Sequence, residues 1–329
     1  MTTTGRIVHG LGLISGGLDS MLAARLLLEQ GIAVTGIAFV TPFFGSKNAE
    51  LAAERVGFPL LVRDITAPHL VIVKDPPSGY GRLMNPCIDC HALMLRVAGE
   101  VMDAEGFDFL FTGEVLNERP MSQSLRNLNR VANLSGRPGR VLRPLSARRL
   151  KETEVEREGL VDRARLLNLE GRSRQRQFEL ARGWGLTEYP NPAGGCLLTD
   201  PGFSRRLKDL LDHGPEAGAH ELELLKIGRQ FRIRAGVKAT VGKNAVHNAA
   251  LTALRGPGDL LLRTGGVPGP VMIISGAASE ADIAIGAGIC ARYSDGSDGR
   301  VRIVVEGDAG SRELLVDPIA PDELVARRI

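Results

Sequence analysis

Arg6-Ile-Val-His-Gly-Leu-Gly-Leu-Ile14 runs directly into Ser15-Gly-Gly-Leu-Asp-Ser20, and Leu18–Gln30 follows as an amphipathic stretch closed by Gly31. The first run reads as a buried strand and the last as a helix, which places the hexapeptide at a strand-to-helix turn. Gly16 and Gly17 let the backbone approach an oxyanion. Ser15 and Ser20 offer hydroxyls, and the helix start at Leu18 offers N–H groups and the positive end of a dipole. Asp19 is placed to hold Mg2+ carried by phosphates. Gly10-Leu-Gly-Leu-Ile-Ser-Gly16 has one residue too many for a dinucleotide fingerprint and lies within the strand. No Gly-Lys-Ser/Thr ending marks a Walker A loop. A plain tight turn with an Asp-Ser helix cap is the competing reading.

Outward from this turn the pattern alternates. Ala33–Val40 reads as a strand, Lys47–Val56 as a helix stopped by Gly57 and Pro59, Leu60–Ile65 as a strand, His91–Ala104 as a helix and Phe107–Thr112 as a strand. This order predicts an α/β fold, a doubly wound parallel sheet whose ligands bind at the carboxyl ends of the strands. The turns after Ile14, Val40 and Thr112 lie there. From Arg119 to Lys151 the chain is rich in arginine, with Glu118 the one acid at its start. A polar helical stretch, Phe203–Leu225, reads as a connector. Beyond it, Phe231, Ile233, Val237 and Thr240–Val241 suggest strands about a turn at Ala235-Gly236. Ala245–Leu254 suggests a helix, and Val271–Ile274 and Val301–Val305 further strands. The expected organisation is 1–200, a 201–225 connector, and a smaller α+β domain at 226–329.

Composition sets bounds. A chain of 329 residues has room for two domains with their own cores. A net charge of +3 is too small by itself to announce nucleic-acid binding, and 4% aromatic residues argue against a site of stacked rings. No apolar run reaches the ~20 residues of a bilayer span, and the start at Met1 lacks the regions of a signal peptide. The expectation is a cytoplasmic protein with no membrane attachment; the sequence carries no sign of its oligomeric state.

Asn85-Pro-Cys-Ile-Asp-Cys-His91 holds a CxxC followed by histidine, and Cys196 follows far downstream after Ala193-Gly-Gly195. Haem attachment conflicts with the expected compartment. A structural zinc on Cys87, Cys90, His91 and Cys196 has suitable ligand types. A thioredoxin-like pair gives Cys196 no role. Three thiolates, Cys87, Cys90 and Cys196, suit a four-iron four-sulfur (4Fe-4S) cluster with one iron left open, where sulfide can sit as a nucleophile. This is the favoured reading, with plain core cysteine as the bland one. Cys290, in an apolar context, reads as core.

The hexapeptide after a strand resembles the PP-loop of ATP pyrophosphatases, which adenylate an oxygen, release pyrophosphate and let a nucleophile displace AMP. The resemblance implies ATP contacts at Ser15–Ser20, at Thr112-Gly113 and near Ala38-Phe39. With Asn-Pro-Cys-x-x-Cys and a distant Gly-Cys, residues 7–200 resemble the tRNA thiouridine synthases, both 2-thiouridylase and 4-thiouridine types. Cluster-dependent members use three cysteines as ligands, whereas the persulfide-carrying 2-thiouridylases have a single Cys in the first motif and this chain has two. Leu225-Lys-Ile-Gly-Arg-Gln-Phe-Arg232 with Lys238-Ala-Thr-Val-Gly-Lys243 resembles NFACT-R RNA-binding domains.

These resemblances imply an ATP-dependent tRNA sulfurtransferase using ATP, Mg2+ and a 4Fe-4S cluster, with tRNA and sulfide or a sulfur-donor protein as partners. Asp19 and the three cysteines would be its catalytic residues. Expected RNA contacts are Arg119, Gln123, Arg172 and Arg174, and Arg229, Arg232, Lys238 and Lys243 in the last domain; Glu114 is a further substrate-side candidate. Solvated arginine surfaces are the bland counterpart. The motifs do not specify the 2- or the 4-carbonyl. Rival readings are a PP-loop sulfurtransferase or amide ligase acting on a small molecule, and a non-catalytic RNA-binding factor with structural zinc.

Overall fold

Gly10 and Gly12 sit in the first strand, β1 (His9–Leu13), for a packing reason. A Cβ at Gly12 would overlap the Phe111 ring, and one at Gly10 would meet Phe109 at 2.9 Å. The strand is thus smooth where two large rings cross it, and carries no dinucleotide turn. The computed structural model describes residues 6–119, 121–189, 196–214 and 217–329. The chain divides into one unit ending at Thr199 and another beginning at Asp200.

In the first unit β1 is followed by α1 (Leu18–Leu28), β2 (Ala33–Val40), α2 (Lys47–Val56), β3 (Leu60–Asp64), α3 (Thr66–Lys74), α4 (Cys87–Glu105), β4 (Phe109–Thr112), α5 (Leu125–Leu134), β5 (Val141–Leu142), α6 (Glu154–Arg157) and α7 (Gln175–Gly183). The five strands form a parallel sheet ordered β3-β2-β1-β4-β5. One face packs on α1, α2 and α7 through Leu18, Met21, Leu22, Ala49, Ala52 and Ala181; the other packs on α4 and α5 through Leu93, Leu95, Ala98, Met102 and Val131. The fold is therefore doubly wound, as the alternation of apolar runs implies. Register sets the site. Leu13 lies beside both Ile37 and Thr112, so β1 and β4 end level while β2 runs on to Val40.

The second unit comprises α8 (Pro201–His213), α9 (Ala219–Leu225), β6 (Arg229–Arg234), β7 (Val237–Val241), α10 (Ala245–Leu254), β8 (Leu260–Gly265), β9 (Val271–Ser275), α11 (Glu280–Arg292), β10 (Val301–Gly307), β11 (Gly310–Val316) and α12 (Pro321–Arg327). Its six strands are antiparallel, ordered β11-β10-β8-β9-β7-β6. Residues Ile283, Ala287, Ile289 and the buried Cys290 of α11 fill one face, while Leu224 of α9 and Leu251 of α10 cover Leu261 and Ile273 on the other. Arg232 of β6 pairs with Asp209, so α8 is fastened to this sheet; the stretch expected as a connector is two helices of the second unit. No helix among the described residues is long and apolar enough to cross a membrane.

Replacing Gly12 with Ala forces the Phe111 ring to move in a filled core. It should lower unfolding free energy by about 1–3 kcal/mol, read from denaturant midpoints. Combining it with Phe111→Leu should cost less than the sum of the two single changes, because both act on one contact.

Candidate functional site

The loop from Ser15 to Ser20 is gripped from two sides. Gly16 has φ of +79°, and a Cβ there would overlap the Asn48 backbone at the start of α2. Opposite, a Cβ on Gly113 would lie 2.5 Å from the Ser20 nitrogen and 2.6 Å from the Asp19 carbonyl carbon. Only glycine permits either approach. Gly17 caps α1 without a side chain, so no capping oxygen occupies the N–H groups of the first turn. Gly17 N–H donates to Ser15 Oγ at 3.3 Å, and Ser20 Oγ–H donates to the Gly17 carbonyl at 2.8 Å. Leu18 is buried beneath the loop, and Ala38 and Phe39 are buried in β2, next to β1. The Thr112 hydroxyl donates to Glu114 at 3.0 Å.

Asp19 carries the charge of this cradle. Its Oδ2 accepts from Arg174 at 3.1 Å, while its Oδ1 is buried with no partner among the described residues. Burial pushes the carboxyl upward, against the opposing pull of Arg174 and Arg119. An orphaned, desolvated carboxylate oxygen beside a phosphate cradle suits Mg2+. Arg174 also pairs with Glu118 at 3.5 Å, and Gln177 donates to Glu118 at 3.0 Å. Arg174, expected as an RNA contact, is thus largely buried between two acids. Sequence reading missed this link because it spans 155 positions.

Behind the cradle lies Glu114, also buried. Arg143 Nε donates to its Oε2 at 2.9 Å and His91 Nδ1 lies 3.1 Å from its Oε1. Burial opposes the charge, but Arg143 and His91 outweigh it and hold the carboxyl down at about 2. His91 is therefore engaged with a carboxylate, which weakens the zinc set that included it. Among the described residues no three His, Cys, Asp or Glu side chains are gathered to hold a single metal ion.

The cysteines occupy the mouth of the same sheet. Cys87 is the first residue of α4, four positions before the expected helix start, and Cys90 lies one turn on. Asp89, between them, accepts from Ser78 N–H at 2.7 Å and from the Ser78 hydroxyl at 2.5 Å, binding the preceding loop to the helix. Asn85 donates to Cys87 Sγ at 3.2 Å. Leu197 N–H donates to the Phe43 carbonyl at 3.0 Å, which brings Cys196 to the loop after β2. Ala193, Gly194 and Gly195, expected to give Cys196 room, lie outside the described residues.

Burial raises all three thiols, Cys196 to about 11; the charges of Cys196 and Cys87 push Cys90 higher still, so the three are electrostatic neighbours. His69 Nε2 lies 3.2 Å from Cys90 Sγ, in a fully buried position against Phe43 and Phe44. Burial holds His69 at about 4, hence neutral near pH 7. Sequence reading missed it; a lone histidine directly before the apolar run from Leu70 to Val73 was its one signal.

Arg119 joins the two halves. It is exposed, and its charge favours the ionised forms of both Asp19 and Cys87. Gln123 is buried, its Oε1 accepting from Arg119 N–H at 3.1 Å, and Arg172 is exposed. In the second unit Lys243 is exposed and Arg229 lies 4.6 Å above the Tyr293 ring. Arg232 is paired with Asp209, and Lys238 is buried, 5% exposed. Four of the eight residues expected at RNA therefore have buried or internally committed side chains: Gln123, Arg174, Arg232 and Lys238.

Residues 228–327 match the family model described as NFACT protein RNA binding domain. The chain is 26% identical to a tRNA-specific 2-thiouridylase MnmA of Streptomyces coelicolor, over 72% of this chain and 69% of that protein. It is 30% identical to a probable tRNA sulfurtransferase of Thermotoga maritima, over 44% of this chain and 37% of that protein. A solved 4-thiouridine synthetase–RNA complex with bound ATP is 25% identical, with a TM-score of 0.36 over 43% of this chain and 37% of that one. The chain is thus similar to PP-loop tRNA thiouridylases and sulfurtransferases, with an NFACT-R segment toward its end.

Glu114→Gln removes a charge and leaves Arg143 buried without its partner. At pH 7 it should cost about 3–5 kcal/mol in denaturant unfolding. The folded carboxyl, at about 2 against an ordinary 4.5, binds its proton less tightly than the unfolded one. The wild-type contribution is therefore complete above the ordinary value and lost as pH falls toward 2. The gap between wild type and variant should narrow over that window; a gap that stays constant would contradict the pairing.

Proposed function

We propose that this chain is an ATP-dependent tRNA thiouridine synthase. The observation that carries the reading is Asp19 Oδ1, with no partner among the described residues, at the first turn of α1 in a loop clamped by Gly16 and Gly113; the charge of Arg119 favours the ionised forms of both Asp19 and Cys87. In this reading Gly16, Gly17 and the free N–H groups of α1 hold the ATP phosphates. Asp19 Oδ1 takes the accompanying Mg2+, and Arg174 opposes the burial that disfavours its ionised form. Thr112-Gly113 and the backbone near Ala38-Phe39 border the nucleotide.

A uracil carbonyl oxygen attacks the α-phosphate, pyrophosphate leaves, and the oxygen becomes part of an AMP leaving group. A sulfur nucleophile, from sulfide or a sulfur-donor protein, then attacks the ring carbon, and AMP departs with the former carbonyl oxygen. Cys87, Cys90 and Cys196 would hold a 4Fe-4S cluster, which when bound supplies a Lewis-acidic iron with an open position for sulfur. One buried and two half-buried thiols, all held protonated by burial, suit such a group, since binding iron relieves the cost of ionising them. Neutral His69, in the tautomer with its proton on Nε2, donates to Cys90 and fixes its orientation. Arg119 and Arg172, both exposed, would contact RNA phosphate in this reading.

The test is the thionucleoside content of tRNA from cells with and without the chain. One thiouridine species should disappear; an unchanged profile overturns the reading. Asp19→Asn should lower thiolation in vitro by about a hundredfold or more, the scale of losing an electrostatic partner of the transition state. Cys196→Ala should abolish thiolation and leave ATP binding intact. Anaerobically purified wild type should be brown with about four iron per chain; stoichiometric zinc without a visible band would contradict the cluster.

A further inference from the structure

One concavity of the second unit has no part in this chemistry. It opens where the edge strand β6 begins, bounded by the first turns of α8 and the end of α12, and encloses about 490 Å³. Arg205, Arg206, Arg229, Lys243 and Arg328 line it. Neighbouring arginines are committed to acids, Arg232 to Asp209, Arg234 to Asp282 and Arg327 to Glu323. None of the five lining cations has an acid at ion-pair distance among the described residues.

Two further observations point to an anion as its ligand. Arg206 Nε is buried with no partner among the described residues, and its guanidinium lies 6.0 Å from the Phe203 ring. Burial and the charge of Arg205 outweigh the pull of Asp200, so Arg206 is less readily charged than an ordinary arginine. Lys238 Nζ, outside the lining, is also buried with no partner among the described residues; burial and the charges of Arg232 and Arg206 act on it against Asp209 and Glu221. Desolvated like charges repel unless an oxyanion sits among them, and arginine forks from separate elements suit phosphate above all. The volume is within the ~300–1,000 Å³ of sites that take small ligands.

We propose that this concavity binds phosphodiester groups of the RNA, with Arg205 and Arg206 of α8 completing a site whose other wall is the segment that matches the NFACT-R model. The matched residues begin at 228, so α8 is an addition from outside them. The inference rests on the reading of the chain as an enzyme acting on tRNA.

The experiment measures binding of tRNA to the full chain between 50 and 200 mM salt, for wild type, Arg205→Gln/Arg206→Gln and Lys243→Gln. Each lost phosphate contact should flatten the plot of log affinity against log salt by about 0.7–0.9. The double variant should bind about tenfold more weakly near 0.1 M salt, with Lys243→Gln about threefold weaker, and both should melt close to wild type. Arg263→Gln, which removes a cation paired with Glu306, serves as the control and should bind as wild type does.

Inorganic pyrophosphate is titrated in parallel. Competition with tRNA only at millimolar levels supports the RNA backbone as occupant. Tight pyrophosphate binding that Arg205→Gln/Arg206→Gln abolishes, with tRNA binding unchanged in that variant, overturns it in favour of a small phosphate ligand. Unchanged salt slopes in both variants overturn it also. If wild type thiolates tRNA and the variants bind RNA normally, this proposal falls and the proposed function stands. If wild type binds no RNA, both fall.

Discussion

The approach of Gly113 to the backbone of Asp19 and Ser20 leaves no space for a single added carbon. That contact joins the end of β4 to the loop after β1, and the level ends of these two neighbouring strands make it possible. From it follow the exposed N–H groups of α1, the position of Asp19, and the reach of Arg174 from a distant part of the chain. The parallel sheet supplies the constraint, because it is buried on both faces and cannot slide without emptying two cores.

Charge is distributed in two layers about this contact. Glu114, Arg143 and His91 form an inner group that is fully compensated and holds the strand ends together. Asp19, Glu118 and Arg174 form an outer group that is not, since one oxygen of Asp19 has no partner among the described residues. Buried and satisfied groups serve the fold, whereas buried and unsatisfied ones mark where a ligand belongs. The same distinction separates the paired arginines of the second unit from the unpaired cations lining its concavity.

Much of this was legible in the sequence where local pattern decides structure. Lys47–Val56 and Ala33–Val40 form with the bounds that their apolar spacing implies. The sheet class follows from alternation alone. What the sequence hid depends on long-range contact. The α3 helix went unread because Leu70–Val73 is a continuous apolar run without helical period. Cys87 joins α4 because Asp89 ties the loop at Ser78 to the helix, which no spacing announces. His69 beside Cys90, and Arg174 between two acids, are products of folding. Cation-rich motifs named candidate RNA contacts but could not tell which would be buried: Lys238 alternates with apolar neighbours as a surface residue would, and lies beneath α8 instead.

The account joins a nucleotide cradle and three thiols in one site, and cysteine reactivity tests that union most directly. Alkylation of Cys87 and Cys196 in the metal-free chain, followed by mass spectrometry with and without ATP and Mg2+, reads both partners at once. The account predicts that nucleotide slows modification of Cys87 several-fold, and that Asp19→Asn abolishes this protection. Equal rates with and without saturating nucleotide, in a wild-type chain that demonstrably binds it, would contradict it.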